Sequence, residues 1–181
     1  MAKNDHAHSL KLVQSIRLLC GDHEAQAFSD TFRLSKSADA TKKFRWAQAV
    51  CACLEEHYDT EMLIRIRKGC RCNDGKTIAD KLSRYLKQAS SIESFVKTFN
   101  EQESFANIRY ISDHKIQFCY PQCYCACVKR IPEKISKIWC YCTLGNAEAI
   151  FKEVFQKDDI KVALLESIKT GGKQCTIEVE W

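Results

Sequence analysis

The amino-acid sequence predicts an α+β protein: a helical first half, then a small antiparallel sheet with packed helices. Three observations lead there. Apolar residues recur at helical spacing up to about residue 104, the pattern turns to alternation from Asn107, and a late Gly171-Gly172 pair separates two more alternating runs. The expected organisation is a mainly helical region over residues 1–104 and a cysteine-rich α+β region over 105–181, together making one compact domain.

Each element has a local reason. His8 to Cys20 carries Leu10, Leu12, Val13, Ile16 and Leu19 on one stripe and stops at Gly21; a second helix runs from Asp22 to Leu34. Asp39 to Tyr58 is the clearest helix, with Phe44, Ala47, Val50, Cys51 and Leu54 on one face. Met62 to Lys68 forms a short helix closed by Gly69, and Asn73-Asp74-Gly75 is a turn. Thr77 to Ala89 is helical through Ile78, Leu82, Tyr85 and Leu86, and Ser91 caps a last helix reaching about Phe99. Asn107 to Tyr120 reads as two strands about Ser112-Asp113-His114, and Leu144 to Phe155 as an amphipathic helix. Ile160 to Ile168 and Gln174 to Trp181 form a hairpin whose turn draws on the positive φ angles that Gly171-Gly172 allow.

Chemistry is concentrated in the cysteines. Of twelve, only Cys20 and Cys175 stand alone; the rest fall in Cys51-Ala-Cys53, Cys70-Arg-Cys72, the run Cys119, Cys123, Cys125, Cys127, and Cys140-Tyr-Cys142. The polar start lacks the apolar core of a secretion signal, so a cytoplasmic location is expected. In a reducing compartment paired thiols point to soft-metal ligation or redox chemistry rather than to crosslinks. No apolar run approaches the roughly 18 residues of a membrane span, so no membrane association is expected.

Spacing sorts the clusters. On a helix, residues two apart diverge, so Cys51 and Cys53 do not chelate as a pair; Cys51 suits the core, while Cys53 faces His57 one turn on. Cys70 and Cys72 flank a helix end, a good geometry for ligands. Cys119, Cys123, Cys125, Cys127, Cys140 and Cys142 supply six thiols within 24 residues, and in an extended segment the three from Cys123 to Cys127 would form a row. The ligand pool is therefore Cys70, Cys72, Cys119, Cys123, Cys125, Cys127, Cys140 and Cys142. The single-residue gaps differ from zinc-ribbon and ferredoxin spacings; an iron–sulfur cluster is the leading cofactor and zinc the alternative.

Alternatives stay open beside that reading. The aromatic-rich stretches around Cys119 and Cys140 also suit core strands with cysteine as a small hydrophobe. A thiolate beside Arg71 or Lys129 with a neighbouring thiol would support reversible disulfide chemistry. His6 and His8 are read as part of a mobile terminus. The net charge of +5 is modest. Basic residues at Lys42, Lys43 and Arg45, and at Arg65, Arg67, Lys68 and Arg71, read as solvated faces or as counterions for a thiolate cluster, and nucleic acid is not an expected partner. There is no phosphate loop or dinucleotide fingerprint, and no histidine pairs locally with a nucleophile, so the sequence does not decide whether the protein is an enzyme.

In the last third, Cys142-Thr-Leu-Gly145, Phe151-Lys-Glu-Val-Phe155, Val162-Ala-Leu-Leu-Glu-Ser-Ile168 and Gly171-Gly-Lys-Gln-Cys175-Thr-Ile-Glu-Val179 form an ordered pattern. It resembles the 4-vinyl reductase-type ligand-binding domains and a related bacterial group, the L-2-amino-thiazoline-4-carboxylic acid hydrolase-like proteins. The resemblance implies an α+β sandwich around a small-molecule pocket, with Glu166 and Cys175 as pocket or cofactor-binding residues; Lys169 stands where that pattern commonly has a second cysteine. Taken together, the expected function is a metal–thiolate protein acting in small-molecule sensing, electron transfer or assisted catalysis. The alternatives are a hydrolase of a small thiazoline- or amide-like compound, or a ligand-binding module with packing cysteines.

Overall fold

The computed structural model describes residues 4–181. They form an α+β fold in which helices come first and a four-stranded antiparallel sheet with helices follows. Two units make up the chain, each built from two stretches: Met1–Cys72 with Tyr124–Gly145, and Asn73–Cys123 with Asn146–Trp181.

The first unit holds α1 (Ala7–Cys20), α2 (Asp22–Thr31), α3 (Ala40–His57), α4 (Thr60–Lys68) and the short α7 (Lys137–Cys140). Caps set the starts of α3 and α4: Asp39 accepts from the Lys42 amide at 2.8 Å, and Asp59 from the Met62 amide at 2.8 Å. The apolar stripes lie where periodicity placed them. Leu12, Val13 and Ile16 of α1 are buried, as are Phe44, Ala47, Val50, Cys51 and Leu54 of α3. Each of the leucine, valine, isoleucine and phenylalanine side chains contributes about 1.5–3 kcal/mol when fully buried, so these stripes rather than helix propensity hold the unit together. Trp46 and Trp139 meet edge to face at 5.5 Å within it.

The segment that leads into α1 is held by contacts to the stretch after α2. Asp5 bridges to Ser35 as an antiparallel pair, the His6 amide donates to the Leu34 carbonyl at 2.7 Å, and Arg33 pairs with Asp5 at 3.1 Å. His6 is the N-cap of α1 and His8 lies in its first turn. These contacts correct the reading of both histidines as mobile: a strand-like pairing two residues upstream of α1 fixes them.

The second unit holds α5 (Lys76–Gln88), α6 (Ile92–Gln102), β1 (Asn107–Ser112), β2 (Lys115–Tyr120), most of α8 (Cys142–Phe155), β3 (Lys161–Glu166) and β4 (Cys175–Glu180). The sheet order is β1-β2-β4-β3, with every neighbouring pair antiparallel. Register puts Ile116 opposite Val179 and Phe118 opposite Ile177, so one face is a buried apolar row. On that face Phe99, Phe118 and Phe151 form an aromatic cluster, with ring centroids 6.2 Å and 5.4 Å apart. Ser91 and Ser94 close a reciprocal capping box at the start of α6.

Two local expectations are corrected. Pro121 to Arg130 is not extended: the Val128 and Lys129 amides both donate to the Cys125 carbonyl, at 3.2 and 2.9 Å, so Cys125 opens a tight turn and the thiols form no row. The stretch Ile138-Trp-Cys-Tyr-Cys142 is not a core strand either. It is α7, a break at Tyr141, and the first residue of α8.

Candidate metal centre

The site lies within the first unit and starts from α1. His6, His8 and Cys127 form a group that could hold a metal ion, their ligand atoms all within 4.8 Å of one another. A tetrahedral ion with bonds of about 2.0–2.3 Å sets its donors roughly 3.3–3.8 Å apart, so closure needs a movement of about 1 Å.

Cys125 extends the group, since its sulfur is hydrogen-bonded to Cys127 and to His8 and receives the Trp139 indole N–H at 3.4 Å. The Cys127 thiol, against burial, draws the Cys125 pKa well below the ordinary thiol range, and His8 and Trp139 lower it further. Cys127 moves the opposite way, because it supplies the proton to that pair and is also buried. The pair is thereby polarised, with Cys125 the more acidic of the two thiols. Burial, followed by the neighbouring His8 and Lys43, lowers the pKa of His6 and so favours the neutral imidazole, the form that binds metal.

A second thiol pair adjoins the first. Lys11, one turn after His8 on α1, donates to the Arg71 carbonyl at 2.6 Å and the Cys72 carbonyl at 3.2 Å. The exposed Cys72 is thereby fixed with its sulfur 3.6 Å from His8 Nε2 and hydrogen-bonded to Cys142. Gly145 allows the Cys142 side of this contact, for a Cβ there would overlap the Lys68 carbonyl at the end of α4. The first turn of α8 can approach α4 this closely because residue 145 has no side chain.

Arg67 supplies the charge. It lies on α4, is 1% exposed, donates to the Trp139 carbonyl at 2.8 Å, and stacks on the Trp139 ring at 4.1 Å. Burial alone would lower its pKa; the neighbouring sulfurs, Cys70 and Cys142 foremost, outweigh that and raise it. Cys70 turns into the core, its thiol donating to the Ile66 carbonyl at 3.3 Å, and burial pushes it up to about 11. Cys51 is likewise pushed up by burial, to about 12. These two are neutral core thiols at ordinary pH.

The remaining sequence-selected residues fall elsewhere. Cys140 ends α7 and is buried. Cys119, Cys123 and Cys175 belong to the second unit; Cys119 lies in β2 and Cys175 opens β4, both buried. Glu166 holds the β3–β4 connection, accepting from the Lys173 amide at 2.7 Å and the Thr176 hydroxyl at 3.5 Å. His57 Nδ1 lies 2.8 Å from the Cys53 carbonyl and 3.9 Å from its sulfur. Sequence reasoning missed His6 and His8. The available signal was the pattern itself: His6-x-His8 has the same single-residue gap as Cys125-x-Cys127.

Fold and site together define an α+β protein with an imidazole–thiol cluster on one unit. The chain belongs to a family of unknown function, DUF6144, whose model matches residues 6–180. This corrects the resemblance to the 4-vinyl reductase-type and thiazoline hydrolase-like proteins: the matching family is a different one, and it runs across nearly the whole chain. The pocket at Glu166 and Cys175 and the hydrolase reading lose the support they drew from that resemblance. No curated protein matches the chain.

Among solved structures, the chain is similar to an H-NOX domain from Shewanella oneidensis in the Fe(II)CO ligation state, at 13% identity and TM-score 0.46 over 97% of each chain. It is also similar to a mutant H-NOX from T. tengcongensis, at 14% identity and TM-score 0.44 over 95% of this chain and 94% of that one. An H-NOX mutant from K. algicida, in the unliganded Fe(II) state, gives 10% identity and TM-score 0.42 over 97% and 95%. Likeness at this level carries no functional inference. Among the described residues no helix is long and apolar enough to cross a membrane.

Proposed function

We propose that the protein binds a soft divalent metal ion, zinc, through His6, His8, Cys125 and Cys127. The carrying observation is the convergence of the His6, His8 and Cys127 ligand atoms within 4.8 Å. Cys125, in hydrogen-bond contact with both Cys127 and His8, is the fourth donor. Two imidazoles and two thiolates are a zinc donor set, and the ion's charge is neutralised by the two thiolates. Iron–sulfur clusters favour all-thiolate ligation, so the mixed set supports zinc over the cluster that spacing alone put first. The Trp139 indole, donating to Cys125, is an outer hydrogen bond of the kind that orients a ligand.

His6 gives the centre an exchangeable position. Its Nδ1 accepts the His8 amide at 3.2 Å as the cap of α1, and a neutral imidazole has one acceptor nitrogen. Metal binding by His6 therefore replaces the cap, which opposes it by about 1 kcal/mol. A small donor ligand that takes the His6 position restores the cap, and sensing of such a ligand is the role this arrangement suits.

Metal analysis of the protein and of Cys127→Ser tests the proposal. The expected result is one zinc per chain in the first and none in the second. Iron with acid-labile sulfide, or equal zinc in both, would overturn it.

A further inference from the structure

We propose that Arg67 is a positioning residue for the zinc centre: it clamps Trp139 so that the indole N–H is aimed at the sulfur of Cys125. This rests on His6, His8, Cys125 and Cys127 being the ligands.

Arg67 grips Trp139 twice. Its guanidinium donates to the Trp139 carbonyl at 2.8 Å and lies over the Trp139 ring, 4.1 Å from the centroid. A backbone bond and a ring contact from one rigid planar group fix both where the residue sits and how its ring is turned. Trp46 steadies the same ring, the two indoles meeting at 88° with centroids 5.5 Å apart. Trp46 is itself tied to the Phe32 carbonyl, to which its N–H donates at 3.0 Å. The clamped Trp139 ring then donates to the Cys125 sulfur at 3.4 Å.

The helix α7 cannot aim that bond alone. It has four residues, little more than one turn, and so short a helix has no stability of its own. Cys125 lies fourteen residues earlier, in a separate turn, so tertiary contacts set the distance between the two. Once zinc takes Cys127 and His8, the contacts that Cys125 keeps are the indole N–H and the Cys127 amide. The first of these is the one that Arg67 governs.

Stability does not account for a guanidinium in this place. Arg67 is 1% exposed, and its Nε has no hydrogen-bond partner among the described residues. Burying a charge with an unfilled donor is costly, and an apolar side chain of similar volume is often as stable or more so. The sulfurs around Arg67 offer it a second route to the centre: Cys70 is in hydrogen-bond contact, and Cys142, Cys51 and Cys125 are near enough to act on its charge. A clamp and a direct charge effect separate in a double-mutant cycle.

The test is that cycle on the full chain, with zinc affinity measured against a competing colorimetric chelator. Trp139→Phe keeps a ring for Arg67 to cover and removes the N–H; Arg67→Met keeps the volume and removes the clamp. Each should weaken zinc about 10- to 100-fold, the range for loss of a ligand's outer partner, with one zinc still bound at saturation. The double variant should bind no more weakly than the weaker single one, because Arg67 acts through the indole. In cobalt(II)-loaded protein, the sulfur-to-cobalt absorption band should shift the same way in both single variants, which a role in folding alone would not produce. Arg67→Lys keeps the charge without the planar fork and should still lose at least about threefold, so the clamp is tested even where Arg67→Met does not fold. Undiminished affinity in Trp139→Phe or in Arg67→Lys, or losses that multiply in the double variant, would each overturn the inference. A chain in which Cys127→Ser binds zinc as well as the unaltered protein refutes the centre itself; zinc lost in Cys127→Ser but unaffected in Trp139→Phe refutes the clamp alone.

Discussion

The two units use the same residue in opposite ways. In the second, Cys119 and Cys175 lie within or at the start of strands and are buried as small side chains, Cys119 donating to the Gln117 carbonyl two residues away, at 3.7 Å, and in hydrogen-bond contact with the Thr176 hydroxyl across the sheet. In the first, Cys72, Cys125, Cys127 and Cys142 face one another, two histidines and a buried arginine. Cysteine density therefore does not mark a site. What does is a sulfur whose neighbours are imidazoles, other sulfurs and a fixed positive charge, because those neighbours stabilise the thiolate that metals bind.

The largest effect expected from this contrast is on metal content. Cys125→Ser and Cys127→Ser should each abolish stoichiometric zinc, measured by elemental analysis of purified protein. Cys119→Ser and Cys175→Ser should leave it unchanged and lower stability by about 1 kcal/mol in a denaturant titration. Metal loss in the Cys119→Ser variant would break the comparison.

Next comes Gly145→Ala. Its Cβ would meet the Lys68 backbone carbonyl, which has no rotamer to move, and the expected loss is about 3 kcal/mol in denaturant unfolding. An unchanged midpoint would show that α8 and α4 do not approach as described.

A smaller effect is pH dependence in the metal-free protein. His6 has a pKa below 6.5 when folded, so on acidification the unfolded chain takes up its proton first. Its contribution to stability is therefore lost as the pH falls from 6.5 toward the folded value. His6→Asn keeps a capping side chain and should flatten this dependence, read from denaturant midpoints at several pH values across that window. Smallest is Ser91→Ala in the second unit. It should cost about 1 kcal/mol and leave metal content untouched, which sharpens the separation of the two regions.

Much of the fold is legible in the sequence. The stripe Phe44, Ala47, Val50, Cys51, Leu54, the glycine stop at Gly21 and the Ser91 cap are local signals that periodicity and capping report directly. Of the Gly171-Gly172 pair, by contrast, only Gly171 takes a positive φ, after a one-turn 3-10 helix over Ile168–Thr170, and Gly172 instead lies close against Glu166. The site is less legible because it is assembled from distant pieces. Nothing near His6 announces that Asp5 will pair with Ser35, about thirty residues on, and hold two histidines beside a turn at Cys125. Spacing also leaves Cys70 and Cys72 equivalent. The chain separates them only when Lys11 fixes the Cys72 carbonyl while the Cys70 thiol turns back to Ile66. A turn in place of an extended segment at Cys125 is likewise invisible to alternation, since Cys-x-Cys is compatible with both.

The most direct test of the central claim is X-ray absorption at the metal edge of protein purified anaerobically. The account predicts zinc with two sulfur and two nitrogen neighbours, at about 2.3 and 2.0–2.1 Å. Four sulfurs with no nitrogen, or iron in place of zinc, would contradict it and remove His6 and His8 from the centre.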